Sequence, residues 1–498
     1  MALDVTASID AIGFGKFQWL LLVYTGLAWV ADACETMLLS FLGPAIECDW
    51  GASPARASAL TSVVFAGMMA GVYSLGAISD HWGRRRGFLV SALLLGGAGL
   101  GSAFSRTYLE LFALRATVGF ALGGAPIGVT LFAEFVPGAG RGMWLLVMQS
   151  FWTVGTVLMS TIAWGTVASP GLGWRWMLAL GSAPLFVLLA AFPWVPESPH
   201  WLAAHGREAE AREVLRLVAR VNGARPAPVE AGDESPAGCS DGEGGAAAPL
   251  PPARAPLARR VRLALAALYG PDMRRTTLLL DGIWFINAIT YYGLVLLCTE
   301  LQTVRKKERC TAAGQPNLGS RDFRAILLTT FSEAPGMLMA AALVDGRGRK
   351  WSLRAGMALT GGAILLLLLA GPGSSLELGL LFVSRAGIMG AYSILYIYTP
   401  EIRAFGLAMC SAMSRLGGFL APYATVALVE SGRQAWTLSL LGGLCLGACV
   451  AAFFLRTETR GRDLQETRVD SEAEDAPLHP ASPTVSLISL PSGTPSLA

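Results

Sequence analysis

The chain contains few charged residues. Asp, Glu, Lys and Arg make up 15% of its 498 residues, against roughly 25% in soluble domains, and 53% of the residues are hydrophobic. Apolar runs recur along the whole length, and each has about the 20 residues that a helix needs to cross a bilayer. These features exclude an ordinary soluble domain and predict an all-α membrane protein. The net charge of +3 is too small to indicate nucleic-acid binding.

Metal-binding patterns are also lacking. The four His and eight Cys have no metal-ligand spacing, so no metal is expected. Cys48 and Cys310 fall in predicted outer loops, and the sequence leaves open whether they are free thiols or form a disulfide. Small packed thiols are expected within the apolar runs, at Cys34, Cys298, Cys410, Cys445 and Cys449.

Nucleotide binding and enzyme catalysis are not indicated either. Residues 96–101 are rich in glycine, but they lie inside an apolar run with no strand before them, so close helix packing is expected there. No catalytic nucleophile motif accompanies them, and we predict neither an enzyme nor a cofactor. Residues 1–10 have no basic region before a cleavage site, so the first apolar run is expected to act as an uncleaved signal.

Twelve apolar segments are long enough to span a membrane. They predict an N-terminal six-helix bundle within 1–195, a cytoplasmic linker at 196–275, a C-terminal six-helix bundle at 276–456 and a disordered tail at 457–498. Within the linker, Glu208 to Val221 is predicted to form an amphipathic helix. The approximate segments are 18–41, 58–79, 87–105, 108–133, 143–167, 174–195, 276–299, 322–344, 351–371, 376–399, 405–429 and 435–455.

Basic residues concentrate on one side of this topology. The stretches after the even-numbered segments carry most of them, including 84–86, Arg141 and 347–350. Because cytoplasmic loops are enriched in Lys and Arg, that side and both termini are predicted to be cytoplasmic. The cluster at 305–309, in the loop after the seventh segment, is the exception.

One short motif occurs in both halves of the chain. Asp80, Gly83 and Arg84 follow the second segment, and Asp345, Gly348 and Arg349 follow the eighth at the same spacing. A repeated junction of this kind indicates two related membrane bundles, an architecture typical of solute carriers.

Six segments, a linker and six more segments, with this motif repeated, resemble the major facilitator superfamily. Further stretches resemble its synaptic-vesicle-protein-related branch, which includes plant carriers named for organic cations, carnitine or nicotinate. The resemblance implies two pseudo-symmetric bundles that move a small organic ion by alternating access. The stretches are 11–18, 29–40, 196–199, 291–293, 396–401 and 458–462.

The resemblance also implies a gate at the motif. Asp80 and Asp345 would each bind the N-terminus of a helix in the facing half, while Arg84 and Arg349 would bridge to nearby acids. The alternative is that the basic residues only set the topology. The complete predicted gate consists of Gly76, Asp80, Gly83, Arg84, Arg85, Glu134, Arg141, Asp345, Gly348, Arg349, Glu401 and Arg403.

Two acids in the first segment are candidates for proton or substrate binding. Asp32 and Glu35 are three residues apart, and we expect them to share a helix face lining a central cavity. A charged side chain at membrane depth costs about 2.5–3.5 kcal/mol on the insertion scale, which favours a functional role over a buried structural pair. In related carriers an acid here faces an Arg of the fourth segment. The resemblance therefore pairs Glu35, or else Asp32, with Arg115. The alternative for Arg115 is that its side chain extends to the outer lipid headgroups.

The second half supplies aromatic and charged candidates for the opposite wall. Asn287 and Tyr291 share a helix face, and aromatic rings with polar tips suit either a flat organic ion or a membrane interface. Arg385 is the counterpart of Arg115. The complete predicted substrate and proton site consists of Asp32, Glu35, Arg115, Gln149, Trp284, Asn287, Tyr291, Tyr292, Glu333, Arg385, Tyr392, Tyr396 and Arg415.

These residues predict a monomeric, proton-coupled carrier in a plasma or vesicle membrane, with a small organic ion and the lipid bilayer as its partners. The arginines favour an organic anion such as a pyridine carboxylate, whereas the acids allow an organic cation. About five residues that relatives have before Arg403 are missing from this chain. Each missing residue shortens the reach of the gate loop by at most ~3.5 Å. This difference keeps a third reading open, a receptor or scaffold that no longer transports.

Overall fold

The computed structural model describes residues 3–138, 140–169, 171–224, 269–270, 274–306, 308–312, 314–398 and 404–455. The described residues form one compact unit. Residues 456–498, which include the predicted tail, lie outside the described residues together with most of the predicted linker. We refer to 3–224 as the N half and to 269–455 as the C half.

The described chain is built from helices, as predicted. In the N half these are α1 (Val5–Ile12), α2 (Lys16–Met37), α3 (Leu39–Trp50), α4 (Pro54–Trp82), α5 (Arg84–Ala103), α6 (Tyr108–Leu122), α7 (Ala125–Ala133), α8 (Arg141–Val167), α9 (Gly173–Gly181), α10 (Ala183–Ala191), α11 (Pro199–Ala204) and α12 (Glu208–Asn222). In the C half they are α13 (Arg274–Val304), α14 (Ser320–Phe331), α15 (Glu333–Arg347), α16 (Arg349–Leu366), α17 (Ser375–Tyr398), α18 (Ala404–Pro422), α19 (Leu428–Glu430) and α20 (Gln434–Phe453).

Ten helices or helix pairs in the described residues are long and apolar enough to cross a bilayer. The two remaining predicted segments correspond to α16 and α17. The longest single helix of the N half, α4, has 29 residues and spans about 43 Å at 1.5 Å per residue, enough for the whole membrane. Its first turn is fixed by Ser53, whose side chain accepts from the Arg56 N–H, and by Pro54.

Two predicted loops turn out to be helical. The first span continues through α3 to Trp50, so Cys48 lies in the last turn of a helix. At the repeated motif, α4 continues to Trp82 and α5 begins at Arg84, which leaves only Gly83 between them. Gly83 has φ +105°, a conformation that glycine adopts without strain, and Gly348 makes the same junction at φ +86°. One residue is enough for the reversal, so no loop is needed.

The two halves pack along several helices, with α4 against α18 and α8 against α14. The Ser62 hydroxyl donates to the Phe419 carbonyl at 2.7 Å, and the rings of Phe65 and Tyr292 lie 4.6 Å apart. We call the end of the helices near Gly83 and Gly348 the motif end. The opposite end, where a disulfide joins Cys48 to Cys310, is the disulfide end.

Candidate functional site

A cavity lies between the two halves. Its volume is about 40 Å³, which is room for a few waters, so a ligand of any size requires the halves to move apart. Acidic, basic and aromatic side chains meet on its wall. The lining residues are Trp29, Asp32, Thr36, Met68, Leu122, Ala125, Gln149 and Trp152 from the N half, and Tyr291, Tyr292, Met389, Tyr392 and Arg415 from the C half.

Both halves contribute aromatic rings to this wall. In the N half, Trp29 and Trp152 have ring centroids 5.7 Å apart. In the C half, Tyr291 lies 5.2 Å from Tyr292 and 5.9 Å from Tyr392. Rings at these separations present both faces and edges, which suits a planar ring or an organic cation.

Asp32 and Glu35 do not share the cavity face, and the expectation that they would is wrong. Asp32 lines the cavity, whereas Glu35 points into the interior of the N half, with 1% of its surface exposed. At 3.6 residues per turn, positions three apart differ by about 60° around the helix. That angle is enough to direct the two carboxylates into different surroundings.

Glu35 forms an ion pair with Arg115 at 2.8 Å, behind the cavity wall. The Arg115 guanidinium also donates to the Ser102 hydroxyl at 2.7 Å, and the Ser182 hydroxyl donates to Glu35 at 3.2 Å. Arg115 is completely buried, so it does not reach the headgroups. Every partner of this pair named here belongs to the N half.

Glu333 and Arg385 form the corresponding pair of the C half. Two guanidinium nitrogens of Arg385 donate to Glu333 Oε1, at 3.1 and 2.9 Å, and both side chains are completely buried. The Tyr291 hydroxyl donates to the same oxygen at 3.0 Å. Neither charged residue lines the cavity, but Tyr291 does, so this pair is one hydrogen bond away from it.

The other predicted C-half residues are divided between the cavity and the protein interior. Tyr392 lines the cavity, shares a 2.9 Å hydrogen bond with Ser414 and lies edge-on to the Trp284 ring at 5.7 Å. Trp284 and Asn287 are completely buried behind it. Among the described residues, neither the amide nitrogen nor the amide oxygen of Asn287 has a hydrogen-bond partner. The side chain of Tyr396 lies outside the described residues.

At the motif end, Arg84 pairs with Asp80 and, at 3.3 Å, with Glu134, all within the N half. The Asp80 side chain is 70% exposed, and among the described residues its carboxylate pairs with Arg84 of its own half rather than with the predicted helix N-terminus in the facing half. A one-residue turn directs Asp80 back onto Arg84, four positions later. Arg141 donates to the Val136 carbonyl at 3.1 Å.

Glu197 supports the same junction, although the predicted gate does not include it. Its Oε1 accepts from the Arg85 N–H and from the Ser198 N–H, each at 3.0 Å. The Trp201 indole donates to the Asp80 carbonyl at 2.9 Å. A signal for this contact is present in the sequence, since Glu197 stands between two prolines in one of the stretches that carry the family resemblance.

The remaining predicted gate residues are described only in part. Gly76 lies within α4 with open space beside it, and Arg349 begins α16. Glu401 and Arg403, together with the shortened loop, lie outside the described residues, as does the side chain of Asp345. The predicted gate of the C half therefore stays a prediction.

The sequence-based set also lacks part of the cavity wall. Trp29 and Trp152 line the cavity, and Trp152 donates from its indole nitrogen to the Tyr291 hydroxyl at 2.7 Å. Trp152 lies three residues after Gln149, a predicted site residue, and therefore near it on α8. A Trp at that spacing from a polar residue, inside an apolar segment, is the signal that could have identified it.

At the disulfide end, Cys48 and Cys310 form a disulfide that joins the N half to the C half. The nearby basic cluster, which departs from the charge pattern of the other loops, is paired with acids. Arg305 pairs with Glu377, Lys306 with Asp322 at 2.8 Å, and Arg309 with Glu430 at 2.9 Å. These pairs account for three basic residues on that side.

Comparison with known proteins gives consistent results. Residues 32–247 match the family model described as sugar (and other) transporter. The organic cation/carnitine transporter 7 of Arabidopsis thaliana is 39% identical over 93% of this chain and 96% of its own length. The synaptic vesicle 2-related protein of Bos taurus is also 39% identical, over 93% of this chain and 82% of its own.

Among solved structures, the xylose transporter of E. coli in a partially occluded inward-open conformation has a TM-score of 0.68. That structure is 16% identical and covers 90% of this chain and 100% of its own, so the likeness concerns the fold.

Proposed function

Since the chain belongs to the major facilitator superfamily, in the family of organic cation/carnitine transporter 7 and synaptic vesicle 2-related protein, we propose that it is a proton-coupled secondary carrier of a small organic anion. The observation that carries this proposal is the composition of the central cavity. Asp32 from the N half and Arg415 from the C half both line an aromatic space between the halves. A ligand there touches both halves and can respond to their relative movement, as alternating access requires.

Arg415 is the arginine among the lining residues of the cavity, so a carboxylate in the cavity would lie beside it. Arg115 and Arg385 lie behind the wall, where each pairs with a buried glutamate. The Trp and Tyr rings provide stacking surfaces for a flat ring. A pyridine carboxylate combines these two features, with its ring against the aromatic wall and its carboxylate at Arg415.

Asp32 provides the coupling to protons. A carboxylate ligand beside an ionised Asp32 would bring two negative charges together in a space with little water. The anion therefore binds more tightly when Asp32 carries a proton, and by reciprocity the bound anion strengthens proton binding. Proton and anion would cross together, without any ATP-hydrolysing site.

The second candidate is an organic cation held by Asp32 and the aromatic rings. The same wall supports it through cation–π contacts, and one relative is named for organic cations and carnitine. A cation competes with the proton for Asp32, so this candidate has the opposite pH dependence. The third candidate, a non-transporting receptor or scaffold, depends on the shortened loop before Arg403.

Uptake into proteoliposomes separates the three candidates. Labelled nicotinate and labelled tetraethylammonium serve as anionic and cationic probes, with and without an inward proton gradient. We expect the gradient to drive accumulation of nicotinate, and Asp32→Asn and Arg415→Gln to abolish it. The control Arg324→Gln removes an exposed arginine outside the cavity and should have no effect.

Accumulation of the cation that falls as the external pH falls would reverse the substrate assignment. Absence of flux for both probes would favour the receptor or scaffold.

We propose a vesicle or plasma membrane as the location, with the motif end and both termini facing the cytoplasm. The charge pattern of the loops supports this orientation, and the name of the bovine relative supports a vesicle. We also keep the prediction of a monomer. Accessibility of a cysteine placed at exposed His81 to a membrane-impermeant thiol reagent, before and after permeabilisation, tests the orientation.

A further inference from the structure

The carboxylate of Glu333 connects the two halves. Glu333 begins α15 in the C half, and its Oε1 accepts from Arg385 and Tyr291 of the same half. Its Oε2 accepts from the Thr156 hydroxyl at 3.1 Å, and Thr156 lies on α8 of the N half. The same hydroxyl lies 3.0 Å from the Thr153 carbonyl of α8, so its proton is shared between the two acceptors. One completely buried carboxylate is therefore anchored in one half and bonded to the other.

A second connection between the halves reaches the same carboxylate through the cavity wall. The Trp152 indole of the N half donates to the Tyr291 hydroxyl at 2.7 Å, and that hydroxyl donates in turn to Glu333 at 3.0 Å. Trp152 and Tyr291 both line the cavity. These two hydrogen-bonded routes cross the interface and meet at Glu333, and one of them forms part of the ligand site. A weaker contact, from the Arg385 guanidinium to the Met37 sulfur of the N half at 3.7 Å, crosses it as well.

The pair of Glu35 and Arg115 provides a contrast. It is equally buried, but its partners Ser102 and Ser182 belong to the N half. Movement of one half relative to the other leaves that pair intact. Separation of the halves breaks the bond from Thr156 to Glu333, while Arg385 stays with Glu333 and keeps its charge compensated.

We propose that Glu333 is a positioning residue that holds the two halves together and links this hold to the state of the cavity. A ligand that accepts a hydrogen bond from the Tyr291 hydroxyl withdraws that donor from Glu333, while the hydroxyl oxygen can still accept from Trp152. Occupation of the cavity then breaks the route through Tyr291 and leaves the direct bond from Thr156. The biological role of this contact rests on the proposed alternating-access function. The distance measurement that tests it does not require transport.

The test measures the distance between the halves rather than transport. Spin labels are attached at His81→Cys and Gly346→Cys, two exposed positions at the motif end, one in each half. Cys449, the free cysteine among the described residues that is not buried, is replaced by Ser. Distance distributions are then recorded by double electron–electron resonance in lipid nanodiscs without added ligand.

Thr156→Val removes the hydroxyl that crosses the interface and keeps the shape of the side chain. We expect the ratio of molecules with separated halves to molecules with halves in contact to rise roughly threefold to tenfold, as for the loss of one hydrogen bond. Trp152→Phe should raise it in the same direction. The matched control is Thr161→Val on the same helix, because the Thr161 hydroxyl donates to the Val157 carbonyl of α8 itself. This control should leave the distribution unchanged.

Glu333→Gln provides a second, independent variant, since it weakens the bond to Thr156 without deleting the side chain. Unchanged distances in both Thr156→Val and Glu333→Gln would overturn the proposal, whatever the uptake assays show. A shift in Thr156→Val but not in Trp152→Phe would overturn the link to the cavity. Distances that shift in these variants, in a protein that transports neither nicotinate nor tetraethylammonium, would support the role of Glu333 in holding the halves together. The same result would contradict the proposed transport function.

Discussion

At the scale of single residues, Gly99 makes room for the buried pair of the N half. A Cβ at this position would lie 2.7 Å from Glu35 Oε1 and 2.7 Å from the Ser182 hydroxyl. Neither group can move away freely, because each is hydrogen-bonded. We therefore expect Gly99→Ala to destabilise the protein by about 1–3 kcal/mol, the usual cost of overpacking. Thermal unfolding in detergent, followed by fluorescence, measures the effect.

The control for this substitution lies two residues away on the same helix. A Cβ at Gly97 would meet nothing within 4 Å. Gly97→Ala should be neutral or stabilising by about 0.5–1 kcal/mol, because alanine loses less backbone entropy on folding. Equal unfolding temperatures for the two variants would show that the space at Gly99 is not needed.

The polar side chain of Asn287 has no evident role in stabilising the fold, because it is buried without a hydrogen-bond partner among the described residues. A buried amide without partners costs about 1–3 kcal/mol, so Asn287→Leu should leave the protein as stable as before or more stable. We expect the same variant to lose uptake, since the amide is available to a ligand once the cavity expands. Unfolding temperature and proteoliposome uptake of nicotinate are the two measurements.

Thr299→Val is the control for Asn287. Its hydroxyl is also buried on α13 and without a partner among the described residues. Neither residue lines the cavity, but Asn287 lies one helical turn from Tyr291, which does, whereas Thr299 lies two turns from it. This control should gain stability and keep uptake. If Asn287→Leu transports as well as the unmodified protein, Asn287 has no role in ligand binding.

Several candidate residues follow from the sequence for one physical reason. A charge inside a membrane span is costly, so Asp32, Arg115, Glu333 and Arg385 stand out without any structure. Their partners do not stand out in the same way. An acid can point either into the cavity or toward an arginine behind the cavity wall, and the two directions differ by about 60° around the helix. The packing of neighbouring helices decides between them, and the sequence alone does not specify that packing.

At the scale of helices, the junction between α4 and α5 depends on one residue. Gly83 combines a positive φ with close contact to the Glu197 carboxylate. Gly83→Ala would strain the backbone and displace Glu197 from the Arg85 N–H, and we expect a loss of about 1–3 kcal/mol. Faster cleavage of the junction by trypsin, after the arginines that follow, is the measurement.

Gly76→Ala on the preceding helix is the control for the junction. This position has open space where a Cβ would be placed, so we expect no increase in cleavage. Cleavage that is equally slow in both variants would contradict the idea that the reversal requires glycine.

The loop after α13 shows why charge patterns predict topology only on average. Its basic cluster contradicts the orientation that the other loops indicate. In the folded protein, Arg305 and Lys306 pair with Glu377 and Asp322, which lie 72 and 16 positions further along the chain. The rule that cytoplasmic loops are enriched in Lys and Arg counts basic residues only. It does not consider acidic partners that lie far away in the sequence.

At the scale of the whole molecule, the fold class and the family follow from the sequence and are confirmed. Segment length and the repeated motif are sufficient for this, because a bilayer accepts few architectures. Membership of a family of transporters also confirms that the chain is not an enzyme. The cavity is harder to predict, since its wall is formed by helices from both halves and depends on how the halves meet.

The disulfide leads to a prediction about the moving halves. It holds the Cα atoms of Cys48 and Cys310 at 5.4 Å, across the interface between the halves. Alternating access requires each end of the molecule to open in turn, and this link limits the disulfide end. We expect Cys48→Ser combined with Cys310→Ser to shift the distances between the halves at that end to larger values. Spin labels at exposed Ala55→Cys and Ser431→Cys measure the change.

The motif end provides the internal control for the same variant. Labels at His81→Cys and Gly346→Cys lie at the far end of the helices from the disulfide. If the halves rock as rigid bodies, a wider disulfide end is accompanied by a narrower motif end, and the two distances change in opposite directions. Widening at both ends would indicate loss of packing rather than release of a link. No change at the disulfide end would mean that other contacts, such as the pair of Arg309 and Glu430 beside Cys310, already hold it closed.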